Sequence, residues 1–427
     1  MSTEDLRSTG VIGSFEPVNW SPPGLPDDPD EIVAHLMDPH RRGEVYPLYH
    51  QLRRVAPIHR CRPEMLHGSW VVTRFADTDA LMRSPDAVND PQVVDQAFNH
   101  GDGTFYNVMR NAMLFLDSPS HQRVRSLVVR AFTPRSIARW RPIAERVATE
   151  LCDAVAHDGG MELVAQYNYE LPFNVIAHIL GVPAADFPRV KQLAWDFARA
   201  GEKVVTPDVA KRGDDAARGF IELFEDLAEE RRSRPTDDLI SSLVQVEEDG
   251  DRLSREELVG NCILLMQAGH ETTQDLLGNA MVALFRDHEQ LVRLRNGGDL
   301  MDRAVEEFLR YDSSVQINHR LLRRDMALGD VVVPAGDMVY LFLGAANRDP
   351  AQFDAPDRLD ITRPPQHHVA FAFGAYYCVG ASLARTEVEV GIRTLLDRFP
   401  GIRPARDTFE WRDTLQLRGP RRVEVEW

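Results

Sequence analysis

The chain has 427 residues and a formal net charge of −17, with 43% hydrophobic and 27% charged residues. This composition is typical of a globular protein, and the length is sufficient to bury a large core. The acidic balance argues against a general nucleic-acid-binding protein, because a phosphate backbone requires a concentrated basic surface.

Residues 1–30 are acidic and rich in proline, and they are predicted to form an extended or disordered lead. They lack the basic start and the apolar core of a signal peptide. No apolar stretch of the chain approaches the roughly 20 residues that a membrane span needs. We therefore expect a soluble cytoplasmic protein. Residues 31–427 contain no internal repeat or low-complexity linker and are predicted to form a single domain.

Helical patterns dominate this domain. A helix is predicted to begin near Asp30, and further helical segments are expected over residues 118–159, 168–180, 186–200 and 210–232. Runs with β-branched residues predict short strands at residues 57–61, 69–74, 331–333, 338–342 and 423–425. Residues 85–116 are polar without a clear period, which predicts a binding loop. The predicted fold is mainly α with a minor β region.

The best-marked helix begins at Ser254, which has the spacing of a capping box with Glu257. The residues that follow are apolar on most faces, as expected of a helix that crosses the interior. A polar cluster at residues 268–273 interrupts this run. Buried acids and hydroxyls cost free energy unless they are satisfied. The cluster therefore indicates either a functional role or a back-bonded threonine with an outward-facing acid.

Cys378 lies between a loop rich in glycine and aromatic residues and a predicted helix. A thiol at a helix N-terminus is expected to have a lowered pKa. Gly374 and Gly380 permit close approach of the backbone to a flat, bulky group. The chain has three other cysteines, whose apolar surroundings are typical of packing residues and whose wide spacing argues against a disulfide framework or a zinc motif: Cys61, Cys152 and Cys262.

Residues 371–385 resemble the haem-ligand loop of the cytochrome P450 family of haem-thiolate monooxygenases, with Cys378 at the position of the iron ligand. Three further segments resemble motifs of this family in the expected order: residues 268–273, Glu307 with Arg310, and residues 347–358. The resemblance implies the cytochrome P450 fold, with haem b held between the long central helix and the cysteine loop.

The resemblance also implies roles for single residues. Glu271 and Thr272 are expected to be catalytic, as a carboxylate and a hydroxyl that relay protons to dioxygen. Cofactor-binding residues are expected on the propionates and around the iron: His121, Arg125, Arg320, His368, Tyr376, Cys378 and Gly380. Tyr376 stands where the family usually has His or Arg, and Ala372 where it usually has Gly.

A structural network of Glu307, Arg310 and Arg358 is expected beneath Cys378, again by resemblance. From spacing alone, Glu307 and Arg310 are neighbours on one helix face. A solvated surface pair, worth only tenths of a kcal/mol, is the alternative interpretation.

The implied function is insertion of one oxygen atom from O₂ into a small organic substrate. Electrons are expected from NAD(P)H through a separate reductase and a ferredoxin-like donor, without nucleic-acid or membrane partners. Peroxide-driven oxidation and oxidative coupling or dehydrogenation are alternatives on the same fold, and a non-catalytic haem sensor is a third hypothesis. Arg123 and Arg130 belong either to a docking surface for the acidic donor or to a generic basic helix face.

By resemblance, the substrate pocket is expected to be lined by residues 85–116, 185–210 and 313–318. Gln316 and Asn318 are polar positions in the last of these segments. They are interpreted either as hydrogen-bonding partners of the substrate or as side chains that turn away from it.

Overall fold

The computed structural model describes residues 24–89, 103–201, 206–246 and 251–427. The predicted lead up to residue 23 lies outside the described residues. The helices within these ranges are, in chain order, α1 (Pro29–Met37), α2 (Val45–Val55), α3 (Phe75–Arg83), α4 (Thr104–Asn111), α5 (Ser120–Val129), α6 (Pro134–Val155), α7 (Glu170–Leu180), α8 (Phe187–Ala200), α9 (Pro207–Ser233), α10 (Leu239–Gln245), α11 (Arg255–Arg286), α12 (His288–Asn296), α13 (Met301–Tyr311), α14 (Leu343–Ala346) and α15 (Ala381–Arg398).

The strands are short. They are β1 (Ile58–Arg60), β2 (Trp70–Val72), β3 (Ala87–Val88), β4 (Gly160–Glu162), β5 (Ile317–Leu322), β6 (Met326–Leu328), β7 (Val331–Val333), β8 (Met338–Phe342), β9 (Arg403–Pro404), β10 (Glu410–Trp411), β11 (Pro420–Arg422) and β12 (Glu424–Glu426). The largest sheet has five strands in the order β1-β2-β8-β5-β3. It therefore joins strands from distant parts of the chain.

The mainly helical architecture with a small β region confirms the predicted fold class. The prediction of a loop over residues 85–116 is wrong in part, because β3 and α4 lie within it. The short α4 buries Phe105, Tyr106 and Val108, a stretch too brief to show a helical period in the sequence. Residues 90–102 of this segment lie outside the described residues. The assignment of residues 31–427 to one domain stays a prediction.

Helix α11 passes through the main hydrophobic core and packs against α4, α7, α9 and α15. Its first turn has the predicted capping box: the Glu257 N–H donates to the Ser254 hydroxyl at 3.2 Å, and the Ser254 N–H donates to the Glu257 carboxylate at 2.9 Å. Most residues between Leu258 and Leu284 are buried. None of the helices in the described ranges is long and apolar enough to cross a bilayer.

The C-terminal strands β10 and β11 pair antiparallel and cover the second half of α11. The approach is close at two glycines. A Cβ at Gly278 would lie 2.6 Å from the Pro420 side chain, and one at Gly419 would lie 2.2 Å from a carboxylate oxygen of Asp275. Because neither glycine has a side chain, the strands can approach α11 closely enough for Arg412 to contact it.

We expect the substitution Ser254→Ala to lower the free energy of unfolding by about 1 kcal/mol, because it removes the hydroxyl that accepts the first-turn N–H. The measurement is urea unfolding of the chain followed by circular dichroism. The control is Ser233→Ala, an exposed position at the end of α9, where a change within about 0.5 kcal/mol is expected. Equal effects of the two substitutions would contradict the capping role.

Candidate active site

Between its exposed ends, helix α11 is accessible mainly along one short stretch. Ala268 is exposed, and Gly269, Glu271 and Thr272 are half-buried, whereas Met266 and Thr273 on either side are buried. Ala268 and Thr272 are four residues apart and so lie on the same face of the helix. The residues on this face are small, and one of them is polar. A cofactor or substrate can therefore approach the helix here.

The hydroxyl of Thr272 donates to the Ala268 carbonyl at 2.7 Å. The Glu271 carboxylate lies on another face of α11, where it accepts from Arg412 at 3.3 Å. Arg412 also donates to both carboxylate oxygens of Asp275 at 3.1 Å. Burial and, more weakly, the charge of Glu271 raise the pKa of Asp275 to about 7, although Arg412 opposes the shift. Neither Arg412 nor Asp275 was marked by any motif in the sequence.

The cysteine loop closes on itself through a backbone hydrogen bond from the Cys378 N–H to the Phe371 carbonyl at 2.9 Å. Within it, Ala372 and Gly374 have φ of 55° and 66°, in the left-handed region. A Cβ at Gly374 would lie 2.7 Å from the Met82 carbonyl oxygen. Gly374 is therefore required both by its backbone conformation and by the contact with α3.

Cys378 is half-buried just before α15, which begins at Ala381. The expected lowering of its pKa is wrong for the protein alone, because burial raises the pKa of this thiol. A hydrogen bond from the Gly380 N–H and the charges of Arg125 and Arg385 oppose that effect. These three groups favour the thiolate, and coordination to a metal ion would deprotonate the thiol outright.

Three basic residues and one tyrosine converge beside this loop. His121 and Arg125 lie on α5, Arg320 on β5, and Tyr376 two residues before Cys378. The Tyr376 ring lies 4.3 Å from the His121 ring and 4.9 Å from the Arg320 guanidinium. Arg125 donates to the Tyr377 carbonyl at 2.6 Å. The structure therefore brings together four of the cofactor-binding residues predicted from the sequence.

In the part of the chain that the structure describes, no carboxylate pairs with Arg125 or Arg320 of this cluster. Arg320 is fully buried, and its Nε and Nη2, like Nδ1 of His121, have no hydrogen-bond partner among the described residues. Burial lowers the pKa of Arg320 to about 10. Burial, Arg125 and Arg320 lower the pKa of His121 to about 4. Buried donors without partners, next to a buried guanidinium, fit a ligand that carries carboxylates. Haem is such a ligand, because it carries two propionates.

The prediction that His368 contacts a propionate is corrected by the contacts of its ring. Its Nε2 pairs with Glu306 at 3.2 Å, and its Nδ1 accepts the Ala370 N–H at 3.3 Å. Both ring nitrogens are therefore engaged by the protein. Arg385 pairs with the same carboxylate at 2.5 Å, so His368 belongs to an ion cluster with Glu306 and Arg385.

Of the predicted network of Glu307, Arg310 and Arg358, the structure pairs the first two side chains and places a different arginine on Glu307. Glu307 and Arg310 form a buried bidentate pair, with both N–O distances at 2.8 Å. Arg358 has an exposed side chain and contributes only its carbonyl oxygen, which accepts from Arg310. The third guanidinium belongs to Arg363, whose Nε lies 3.2 Å from Glu307.

Three other polar side chains are engaged within the protein. Gln316 is buried and donates to the Ser313 carbonyl and the Tyr46 hydroxyl. Asn318 accepts from Arg320 at 2.9 Å. Arg123 pairs with Asp251 and Glu257. These contacts favour structural roles for Gln316 and Asn318 over substrate binding, and they commit Arg123 to the start of α11 rather than to a docking surface.

The fold and this site define a mainly helical protein in which a cysteine loop and a carboxylate-binding cationic cluster lie side by side. The cytochrome P450 family model matches residues 203–412. The chain is 36% identical over 367 residues to a biotin biosynthesis cytochrome P450 of Bacillus subtilis, covering 86% of this chain and 91% of the relative. It is also 36% identical to a mycinamicin IV hydroxylase/epoxidase of Micromonospora griseorubida, covering 89% of this chain and 94% of the relative.

Among solved structures, P450BioI in complex with an acyl carrier protein ligated to hexadec-9Z-enoic acid is similar, with a TM-score of 0.85 and 33% sequence identity. The alignment covers 91% of this chain and 99% of that chain. The chain belongs to the cytochrome P450 family and is a monooxygenase of the bacterial type, which implies a haem cofactor.

We expect Arg363→Met to lower the free energy of unfolding by about 1–3 kcal/mol, because it removes a charged partner of a buried carboxylate. Arg358→Met is the matched control and should change it by less than about 0.5 kcal/mol, since that side chain is exposed. Chemical unfolding of the two variants distinguishes these outcomes. A larger loss for Arg358→Met would restore the assignment made from the sequence.

Proposed function

We propose that this monooxygenase binds haem b, for which Cys378 would supply the thiolate ligand, and inserts one oxygen atom from O₂ into a small organic substrate. The observation that carries the proposal is the adjacency of a thiol and an anion-binding cluster. Tyr376 contacts His121 and Arg320 and stands two residues before Cys378. A single ligand with a central metal and peripheral carboxylates would bind both the thiol and the anion-binding cluster.

When bound, thiolate-ligated haem supplies the chemistry of dioxygen activation. The protein prepares the sulfur for this role. The Gly380 N–H donates to the thiol, and Arg125 and Arg385 favour its deprotonated form. Arg320, Arg125 and His121 would bind and orient the carboxylates of such a group.

Dioxygen activation consumes protons, and two neighbouring residues of α11 have the positions to deliver them. The Thr272 hydroxyl lies on the accessible face with Ala268. Glu271 is 22% exposed and holds its carboxylate against Arg412. Successive residues of a helix point in different directions. In this proposal Glu271 takes up a proton from solvent outside the accessible face. Water within the site passes a proton to the Thr272 hydroxyl as that hydroxyl donates its own, so that the hydroxyl is restored.

Electrons are proposed to come from NAD(P)H through a reductase and a separate ferredoxin-like donor. Tyr377, directly before Cys378, is 38% exposed, which brings the ligand loop to the protein surface. A short path from this surface to the sulfur supports docking of a separate donor there. The activity named for the Micromonospora relative, a hydroxylase/epoxidase, supports oxygen insertion as the reaction.

The reduced, carbon monoxide-bound protein is expected to show the Soret band of thiolate-ligated haem. Cys378→Ser should abolish this band, whereas Cys262→Ser, a substitution at a buried cysteine of α11, should retain it. The absorption spectra of the three proteins provide the test. A band typical of histidine-ligated haem in the unsubstituted protein, or failure to bind haem, would refute the assignment of Cys378.

Thr272→Ala is expected to lower the product formed per NAD(P)H oxidised by roughly tenfold or more, because it removes the hydroxyl that delivers protons. Haem content and peroxide-driven turnover should be unchanged. The measurement uses a compound that shifts the ferric spin state, with product and hydrogen peroxide both quantified. Thr149→Ala is the control, since Thr149 makes the same back-bond on a surface helix. Undiminished coupling in Thr272→Ala would exclude the relay.

A further inference from the structure

The guanidinium of Arg320 is held in place by uncharged oxygens. Its Nη1 donates to the Asn89 side chain at 3.1 Å, to the Asn318 side chain at 2.9 Å and to the His319 carbonyl at 2.6 Å. Its Nε and Nη2 remain buried without partners among the described residues. One edge of the group is therefore fixed, while the other donors are left for an anion.

We infer that Asn89 is a positioning residue for haem binding, and that its neutral amide is required to orient Arg320 without neutralising it. This inference rests on the proposed function, since the anion in question is a haem propionate. It assigns a role to a residue that no sequence motif marks. Asn89 acts through Arg320 and Tyr376 rather than on the reacting atoms.

The sheet register places Asn89 beside Arg320. Strands β3 and β5 are antiparallel, with Ala87 opposite Leu322 and Val88 opposite Leu321. The next pair in this register is Asn89 with Arg320. Cross-strand neighbours have Cβ atoms about 4.5–5.5 Å apart, so the short amide reaches the guanidinium. The contact is therefore determined by the pairing of two strands more than 200 residues apart in the sequence.

Asn89 is buried, and three of its polar groups are used. Besides the bond to Arg320, its side-chain nitrogen donates to the Leu114 carbonyl at 3.0 Å, and its backbone N–H donates to the Tyr376 hydroxyl at 3.2 Å. The Tyr376 hydroxyl in turn donates to the Leu116 carbonyl at 3.3 Å. Asn89 thus ties the cysteine loop and the segment before α5 to β5.

These bonds leave the Tyr376 hydroxyl engaged within the protein, so that Tyr376 acts on the cofactor through its neighbours. Its single proton is donated to Leu116, and its ring lies against Arg320 and His121. Tyr376 supports the Arg320 guanidinium by a cation–π contact at 4.9 Å and packs against the His121 ring. Positive charge for the propionates then depends on the basic residues alone, and an acidic side chain at position 89 would cancel part of it.

The test compares Asn89→Asp and Asn89→Ala with the unsubstituted protein and with Asn111→Asp, which adds the same charge on α4 at a partly buried site. Haem loss from the holoprotein is measured as transfer to excess apomyoglobin. Thermal unfolding of the haem-free chain is measured in parallel. Reconstitution with haem dimethyl ester, whose propionates carry no charge, isolates the contribution of the carboxylates.

Asn89→Asp is expected to release haem at least about tenfold faster, because its carboxylate competes for Arg320. The haem-free variant should be more heat-stable than haem-free Asn89→Ala, since the buried guanidinium gains a charged partner although the bond to the Leu114 carbonyl is lost in both. With the dimethyl ester, the deficit should disappear. Asn89→Ala should lose haem faster and also be less stable without it, and Asn111→Asp should behave like the unsubstituted protein. Asn318→Asp, at the second amide that holds Nη1, should repeat the result of Asn89→Asp.

Haem release from Asn89→Asp at the unsubstituted rate would overturn the inference. So would an equal deficit with haem and with its dimethyl ester, because that result identifies a structural effect independent of the propionates. If the unsubstituted chain does not bind haem through a thiolate, the proposed function fails first, and the carbon monoxide spectrum reports that failure separately.

Discussion

The rest of the site depends on the buried charge of Arg320. It forms no ion pair among the described residues, and burial lowers its pKa. An unpaired charge in a protein interior costs several kcal/mol. A ligand that supplies the missing anion binds the folded state alone and therefore stabilises it by mass action. Helix α5, strand β5 and the cysteine loop all border this charge, so cofactor capture and ordering of these elements are coupled.

The polar residues of α11 are distributed around the helix according to their partners. Thr272 lies with Ala268 on the accessible face, whereas Glu271 and Asp275 share Arg412 on the side covered by the C-terminal strands. Thr273 is buried and hydrogen-bonds Glu387 of α15, whose pKa burial raises well above its usual value. Adjacent threonines therefore have different surroundings, one on the accessible face and the other between two packed helices.

The sequence was sufficient for features that depend on local spacing. The capping box at Ser254 and the shared helix face of His121 with Arg125 follow from periods of three and four residues. Contacts that depend on tertiary structure could not be predicted from local spacing. Arg363 takes the place predicted for Arg358 because the irregular segment around them has no period that orients side chains. Asn89 reaches Arg320 through strand pairing, and the pKa of Cys378 depends on burial that no motif reports.

The geometry of the cysteine loop is held from outside the loop. Ala372 has a left-handed φ of 55°, a conformation that costs a non-glycine residue roughly 1 kcal/mol or more. The Val369 N–H donates to Asn347 at 2.8 Å, and the Asn347 carbonyl accepts from Arg310 at 3.0 Å. Arg310 is in turn fixed by Glu307. The Ala372 N–H in turn donates to the Val369 carbonyl at 3.0 Å, so a chain of buried polar contacts runs from α13 to the start of the loop and supports the strained backbone at Ala372.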